Sequence, residues 1–294
     1  MLENKLGVYY KCFVTFAKPI YGNKLSMNYF NNKVAAITGG SEGIGKAIVE
    51  KLLAMGCKVA TCGRNSDKLY QLQLLHPNKP LHAVVADVSN ENDCRYFIES
   101  TLKIYGGIDI VINNAGVSMR GLFNETNINT FQHLMNVNFW GALYCTKYAL
   151  PSILERRGDV VGVSSIAGYR GLPGRSGYSA SKYALQGWLE ALRTELLKTG
   201  VNVMWVCPGF TASNIRHAAL DTDAKPHMET TMKEEKMMSA DECADHILKA
   251  VAKRKRTLIL TFQGNFTVWI NRLFGSLSDK LVYNFFFKDG KLIK

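Results

Sequence analysis

The chain has 294 residues, 47% of them hydrophobic, 20% charged and only 7 proline, which excludes a disordered polypeptide. At this length a sizeable core forms without a metal or disulfide staple, as two domains or as one α/β unit. Thirty-six basic against 24 acidic residues leave a net charge of +12, which suits a polyanionic ligand, an anionic membrane surface or nucleic acid. The cations are dispersed, however. Their one tight run, Lys253-Arg254-Lys255-Arg256, falls at an expected helix end, where it complements the helix dipole, and no nucleic-acid motif accompanies it. No nucleic-acid partner is therefore expected. The seven cysteines, Cys12, Cys57, Cys62, Cys94, Cys145, Cys207 and Cys243, are scattered without CxxC or Cys/His ligand spacing. A reduced, cytoplasmic setting and no metal site follow as expectations.

Residues 1–26 read as an N-terminal extension. Positions 9–21 are aromatic and apolar, but Lys11 and Lys18 interrupt them. The longest uncharged apolar run, 12–17, is too short for a signal-peptide core or a bilayer span. A membrane-surface anchor, a packed arm and an arbitrary start are all compatible with these residues.

From residue 33 short apolar runs alternate with amphipathic stretches. Strands are expected at Val34–Thr38, 58–62, 83–86, 108–112, 160–163 and 201–206. Helices are expected at 44–55, after the third strand through Leu102, around 126–155 and from 178 to 198. Strands buried on both faces and separated by helices predict a single doubly wound (Rossmann) α/β domain over residues 27–262. Its central, mostly parallel sheet would have about seven strands, with helices on both faces. Ligands bind such sheets beyond the carboxyl ends of the strands. The polar segment 212–238, which carries Met228, Met232, Met237 and Met238, reads as a flap. Residues 263–294 form an aromatic helical tail, for which packing on the domain, on the substrate cleft, on a second subunit or on a membrane surface all remain open.

Between the first strand and the first helix lies Thr38-Gly39-Gly40-Ser41-Glu42-Gly43-Ile44-Gly45. Glycines there let the backbone turn tightly and approach a pyrophosphate, and free N–H groups at the helix start bind its charge. A glycine-rich turn alone is common without a ligand; its place between strand and helix makes it a dinucleotide loop. The second strand runs into Gly63-Arg64. An acidic residue near this point would accept ribose hydroxyls, whereas Arg64 offers a planar, always-charged fork for the 2′-phosphate of NADP. Glu42, in the loop where some NADP binders carry a base, weighs against this; NADP(H) is nevertheless the expected cofactor.

Tyr178-Ser179-Ala180-Ser181-Lys182, Asn113-Asn114-Ala115-Gly116 and the glycine loop together resemble the short-chain dehydrogenase/reductase family. Asp87 after the third strand, Asn138 in Asn138-Phe139-Trp140-Gly141, Ser165 in Ser164-Ser165 and Pro208-Gly209 extend the match, which covers about residues 33–210 and again 239–260. Four residues apart on a helix, Tyr178 and Lys182 are neighbours on one face. An ammonium near a phenol favours phenolate and brings its pKa from about 10 toward working pH, so Tyr178 serves as general acid or base. Taken alone the pair would be ordinary helix surface.

The resemblance implies further roles. Lys182 bonds the nicotinamide ribose, Ser165 orients the substrate oxygen and Asn138 supports a proton relay. Gly39, Ser41, Gly43, Ile44 and Gly45 cradle the pyrophosphate, Asp87 and Val88 form the adenine-side pair, and Asn114, Ala115 and Gly116 line the cleft. Pro208, Gly209, Thr211 and Ser213 are further cofactor contacts, although the family usually has an aliphatic residue at 211 and threonine at 213, which leaves open which hydroxyl touches the carboxamide or the pyrophosphate. The implied activity is interconversion of a carbonyl and a secondary alcohol, on an apolar substrate as in the hydroxysteroid dehydrogenases and 3-oxosphinganine reductases. A non-catalytic dinucleotide sensor or scaffold is the alternative. A homodimer or homotetramer is implied, through helices on which Trp188, Leu189 and Leu192 would supply apolar surface.

Overall fold

The computed structural model describes residues 28–209, 211, 215, 219–225 and 237–293. The extension 1–26, Ser213 and most of the expected flap, including Met228 and Met232, lie outside the described residues.

Seven parallel strands form the central sheet: β1 (Val34–Thr38), β2 (Lys58–Gly63), β3 (Leu81–Val85), β4 (Ile110–Asn113), β5 (Asp159–Val163), β6 (Asn202–Cys207) and β7 (Thr257–Ile259). They are arranged in the order β3-β2-β1-β4-β5-β6-β7. All six pairings are parallel, so the sheet is wholly rather than mostly parallel. The expected third strand, 83–86, begins two residues earlier and ends one earlier. Leu81, His82 and Ala83 are only partly buried at the sheet edge, and so carry little apolar signal.

The helices are α1 (Gly43–Ala54), α2 (Ser66–Leu75), α3 (Glu91–Tyr105), α4 (Ile128–Met135), α5 (Gly141–Glu155), α6 (Ser176–Glu195) and α7 (Ala240–Ala252). Alternation along β1 splits the core. Ala35 and Ile37 join Ile48 and Leu52 of α1 and Ile247 of α7 on one face, while Val34 and Ala36 join Phe97 of α3, Ile153 of α5 and Leu189 of α6 on the other. Helix α2, absent from the expected elements, carries only two buried residues, Leu69 and Leu72, and so has no broad apolar stripe. Its sequence signal is the cap at Asn65, whose side chain accepts from Lys68 N. β1 and β4 lie side by side but feed chains running to opposite edges of the sheet, which opens a crevice at their carboxyl ends.

Leu189 and Leu192 are buried in the chain's own core, Leu189 directly over Gly162 of β5. They supply no subunit surface, contrary to the expectation above, because they occupy the inward row of α6. Trp140 is exposed, and half-buried Phe139, Tyr144 and Trp188 stand with it, their rings touching in series.

The tail is two helices, α8 (Phe262–Leu273) and α9 (Gly275–Phe286), and a short antiparallel hairpin, β8 (Phe287–Lys288) and β9 (Lys291–Leu292). It is stitched to the loop between β5 and α6. Arg170 donates to Asn271 Oδ1 at 3.0 Å and to Asp279 Oδ1 at 2.6 Å, and Asn271 Nδ2 donates to the carbonyl of Tyr169 at 2.9 Å. Among the described residues no helix is long and apolar enough to cross a membrane.

Candidate active site

The crevice is a single cavity of about 640 Å³. Its floor at one end is the glycine loop. Gly39, with φ +69°, donates its N–H to Cys62 O at 2.8 Å, which turns the chain off β1. A Cβ on Gly45 would stand 2.2 Å from Gly39 O and 2.4 Å from Asn114 Nδ2, so only glycine lets α1 start this close to the loop. Asn114 holds the loop rather than merely lining the cleft: its Nδ2 donates to Thr38 O at 2.9 Å and Gly39 O at 3.1 Å. Thr38 completes the clasp, its Oγ1 accepting from Asn114 N and Ala115 N, both at 3.0 Å. The sequence motifs contained Thr38 but had not assigned it this role.

Arg64 is exposed at the end of β2 and lines the same cavity. Glu42 forms an ion pair with Lys68, Nζ to Oε2 2.5 Å. Its charge is therefore partly countered by a surface lysine. Asp87 accepts from Ser89 N at 2.9 Å and Ser89 Oγ at 2.8 Å, so its carboxylate is oriented by the turn that follows β3. Ser41, Gly43, Ile44, Val88, Ala115 and Gly116 also border the cavity, as do Pro208, Gly209 and Thr211 beyond β6.

Tyr178, Ser165 and Lys182 line the cavity from β5 and α6. Lys182 is buried, and burial lowers its pKa to about 8. Its Nζ donates to Val163 O at 2.9 Å and lies 5.8 Å from the centre of the Tyr178 ring. The two serines separate cleanly. Ser164 is buried and accepts from Gln186 Nε2 at 2.8 Å. Ser165 Oγ caps the 3₁₀ turn Ile166–Gly168, accepting from Ala167 N at 3.2 Å, which directs its own proton elsewhere. Gln186, two turns beyond Tyr178, also donates to Ser165 O at 3.2 Å; only the folded chain brings it there.

Asn138 is buried in the π-helical turn Asn136–Trp140, between α4 and α5, and does not border the cavity. Its Oδ1 accepts from Val117 N at 2.8 Å, and its Nδ2 donates to Val117 O and Ser181 Oγ, both at 2.9 Å. Ser181 Oγ in turn donates to Tyr178 O at 2.8 Å. One amide thus ties the strand-end loop after β4 to the helix turn bearing Tyr178 and Lys182. π-bulges inside helices mark functional positions with some regularity.

Beyond Tyr178 the walls become apolar and come from the tail: Phe266, Ile270, Leu281, Val282 and Phe286 border the cavity. Arg175, the N-cap of α6, lies over the Phe286 ring at 5.6 Å. The residues present fit a nicotinamide dinucleotide. The loop is open only because its glycines lack Cβ atoms, the α1 N-terminus faces the cavity, and an acidic and a basic side chain stand at the adenosine end.

A parallel sheet with a glycine clasp at its switch point is a dinucleotide-binding fold, and the tyrosine with a buried lysine one helical turn on gives its crevice an acid–base pair suited to an oxidoreductase. The family model for short chain dehydrogenase matches residues 33–224. A "Dehydrogenase/reductase SDR family protein 7-like" of Anopheles gambiae is 34% identical over 240 residues, covering 79% of this chain and 76% of the relative. A "Dehydrogenase/reductase SDR family member 7B" of Mus musculus is 32% identical over 257 residues, 84% and 79% of the two chains. A crystal structure of a short-chain dehydrogenase/reductase from Burkholderia phymatum in complex with NAD shares the fold. Its TM-score is 0.76 at 24% identity, with 85% of this chain and 96% of that one covered. The chain belongs to the short-chain dehydrogenase/reductase family.

Proposed function

We propose that the protein is an NADP(H)-dependent oxidoreductase that interconverts a carbonyl and a secondary alcohol on a medium-to-large apolar substrate. The observation that carries this function is the continuity of one cavity from the glycine clasp, past Tyr178 and Ser165, to the apolar wall of α8 and α9. When bound, the nicotinamide supplies or accepts the hydride. The rest falls to this chain. Tyr178 gives its hydroxyl proton to the nascent alkoxide, or takes one in the reverse direction. Ser165 donates to the substrate oxygen, since its lone pair already engages Ala167 N. Lys182, charged below about pH 8, stabilises the tyrosinate left behind. Arg64, with the Glu42 charge partly countered by Lys68, favours a 2′-phosphate.

Reduction is the proposed direction, in a reducing cytoplasm where NADPH predominates. The aromatic cluster of exposed Trp140 with half-buried Phe139, Tyr144 and Trp188 is the proposed contact of a homodimer or homotetramer. The test is NADPH consumption over a panel of ketones and aldehydes, with Tyr178→Phe as control. Bulky hydrophobic ketones are expected to give the higher kcat/KM. NADPH binding without turnover on any carbonyl would instead favour the sensor or scaffold.

A further inference from the structure

The tail helices expose apolar rows that the fold does not need for its own core. On α8, Phe262, Phe266, Trp269 and Leu273 recur at the spacing of one helix face, yet this face points to solvent, with Phe262 84% and Leu273 56% exposed. On α9, Ser278, Val282 and Phe286 turn toward the domain, while the neighbouring row Leu277, Leu281 and Phe285 stays exposed. Ring contacts run along α8 to the junction with α9: Trp269 lies 6.2 Å from Phe266 and 5.9 Å from Phe274 between ring centres. The patch is continuous with the active-site cavity, because Phe262, Phe266, Leu281 and Phe285 belong to both.

Charge identifies the occupant. Arg272 stands three residues after Trp269 and Lys280 three after Leu277, so each flanks an exposed row. Both are exposed, as are Lys288 and Lys291 of the hairpin. Of the two acidic residues in this segment, Asp279 is engaged by Arg170, which leaves Asp289. A second copy seated on the same patch would bring its own Arg272, Lys280, Lys288 and Lys291 against these cations. An anionic lipid surface meets both features: aromatic and aliphatic side chains enter the headgroup boundary, and lysine and arginine heads remain among the phosphates. Each helix has 12 residues, enough to lie in the interface and too few to span it.

We infer that α8 and α9 dock the protein on anionic membranes with the mouth of the catalytic cavity against the bilayer, so that an apolar carbonyl compound enters from the lipid phase. The docking stands on the exposed face alone; the entry of substrate rests on the apolar-substrate function proposed above.

The experiment is flotation of the full-length chain with phosphatidylcholine vesicles, with and without about 30% phosphatidylserine. The unmodified protein is compared with Trp269→Glu/Leu273→Glu and with Arg272→Glu/Lys280→Glu. None of these four side chains borders the cavity, so NADPH turnover on a water-soluble ketone reports folding and is expected to be unchanged. The expected result is binding to anionic vesicles that falls at least about tenfold in either variant and weakens with salt. Turnover of a membrane-dissolved ketone should fall with it. Failure of the unmodified protein to float, or flotation of both variants equal to that of the unmodified protein, overturns the docking, as does light scattering in which Trp269→Glu/Leu273→Glu dissociates an oligomer, since the patch would then join two copies. Docking without any effect on the membrane-dissolved ketone overturns the entry route alone, and absence of turnover on every ketone counts against the proposed function rather than the docking.

Discussion

Lys182 places its buried ammonium on the main-chain carbonyl of Val163, 2.9 Å away at the last position of β5. The sheet end therefore fixes the height of the lysine under Tyr178, and the cationic group is held in a site that penalises its charge. Burial lowers its pKa from 10.5 to about 8. Between about pH 8 and 10.5 the unfolded chain holds a proton here that the folded chain has released. Stability therefore rises with pH through this window, and the full cost of the buried charge is borne below it. Cys207, whose charge would raise the lysine again, has its own thiol pushed up to about 12 and stays neutral through this window. Lys182→Met should thus be more stable than the unmodified apoprotein at pH 7, by about 1–3 kcal/mol, and the difference should shrink toward pH 10. Thermal melts at the two pH values measure it. A variant less stable at pH 7 would show that the bond to Val163 outweighs desolvation.

Tyr178→Phe should abolish turnover, by about 10³-fold or more, and leave NADPH affinity within a few fold, since ring and helix remain while the transferable proton is gone. Lys182→Ala should damage both. Steady-state rates alongside fluorescence titration of NADPH distinguish the two, and substantial activity in Tyr178→Phe would move the acid/base role to another group.

For Arg64→Ala a loss of about 10–100-fold in NADPH affinity is expected, with NADH affinity nearly unchanged, because a charge-assisted phosphate contact disappears and nothing near the ribose is altered. Titration of both cofactors into both proteins decides the matter. Equal affinities in the unmodified protein would contradict an NADP preference.

Gly45→Ala places its methyl 2.2 Å from Gly39 O, a backbone atom that cannot rotate away. Destabilisation by about 1–3 kcal/mol is expected together with loss of cofactor binding, despite the better helix propensity of alanine. Denaturant unfolding with and without NADPH would show the first effect directly and the second as a missing ligand-induced shift.

Light scattering at micromolar concentration should give a dimer or tetramer of the 32.8 kDa chain, and Trp140→Glu should shift it toward monomer. A monomeric particle in the unmodified protein would refute the aromatic contact.

Sequence alone determined the doubly wound sheet, the glycine loop and the Tyr178/Lys182 pair, because each is written in local terms: apolar runs four to six residues long, glycines where a Cβ would collide, and a four-residue spacing on one helix. It could not assign Leu189 and Leu192 to core or surface, since a helix with apolar residues on both sides has no inward face until the sheet is placed against it. Nor could it show that Asn138 works through Ser181, 43 positions away, or that Gln186 separates the roles of Ser164 and Ser165. Such hydrogen bonds are set by which strand ends meet at the crevice, and that is decided by the crossover order β3-β2-β1-β4-β5-β6-β7. The tail is the clearest case. Its aromatic content was plain in the sequence, but only the folded chain, with Arg170 anchored to Asn271 and Asp279, sets which row of α9 is buried against the domain and which stays exposed at the cavity rim.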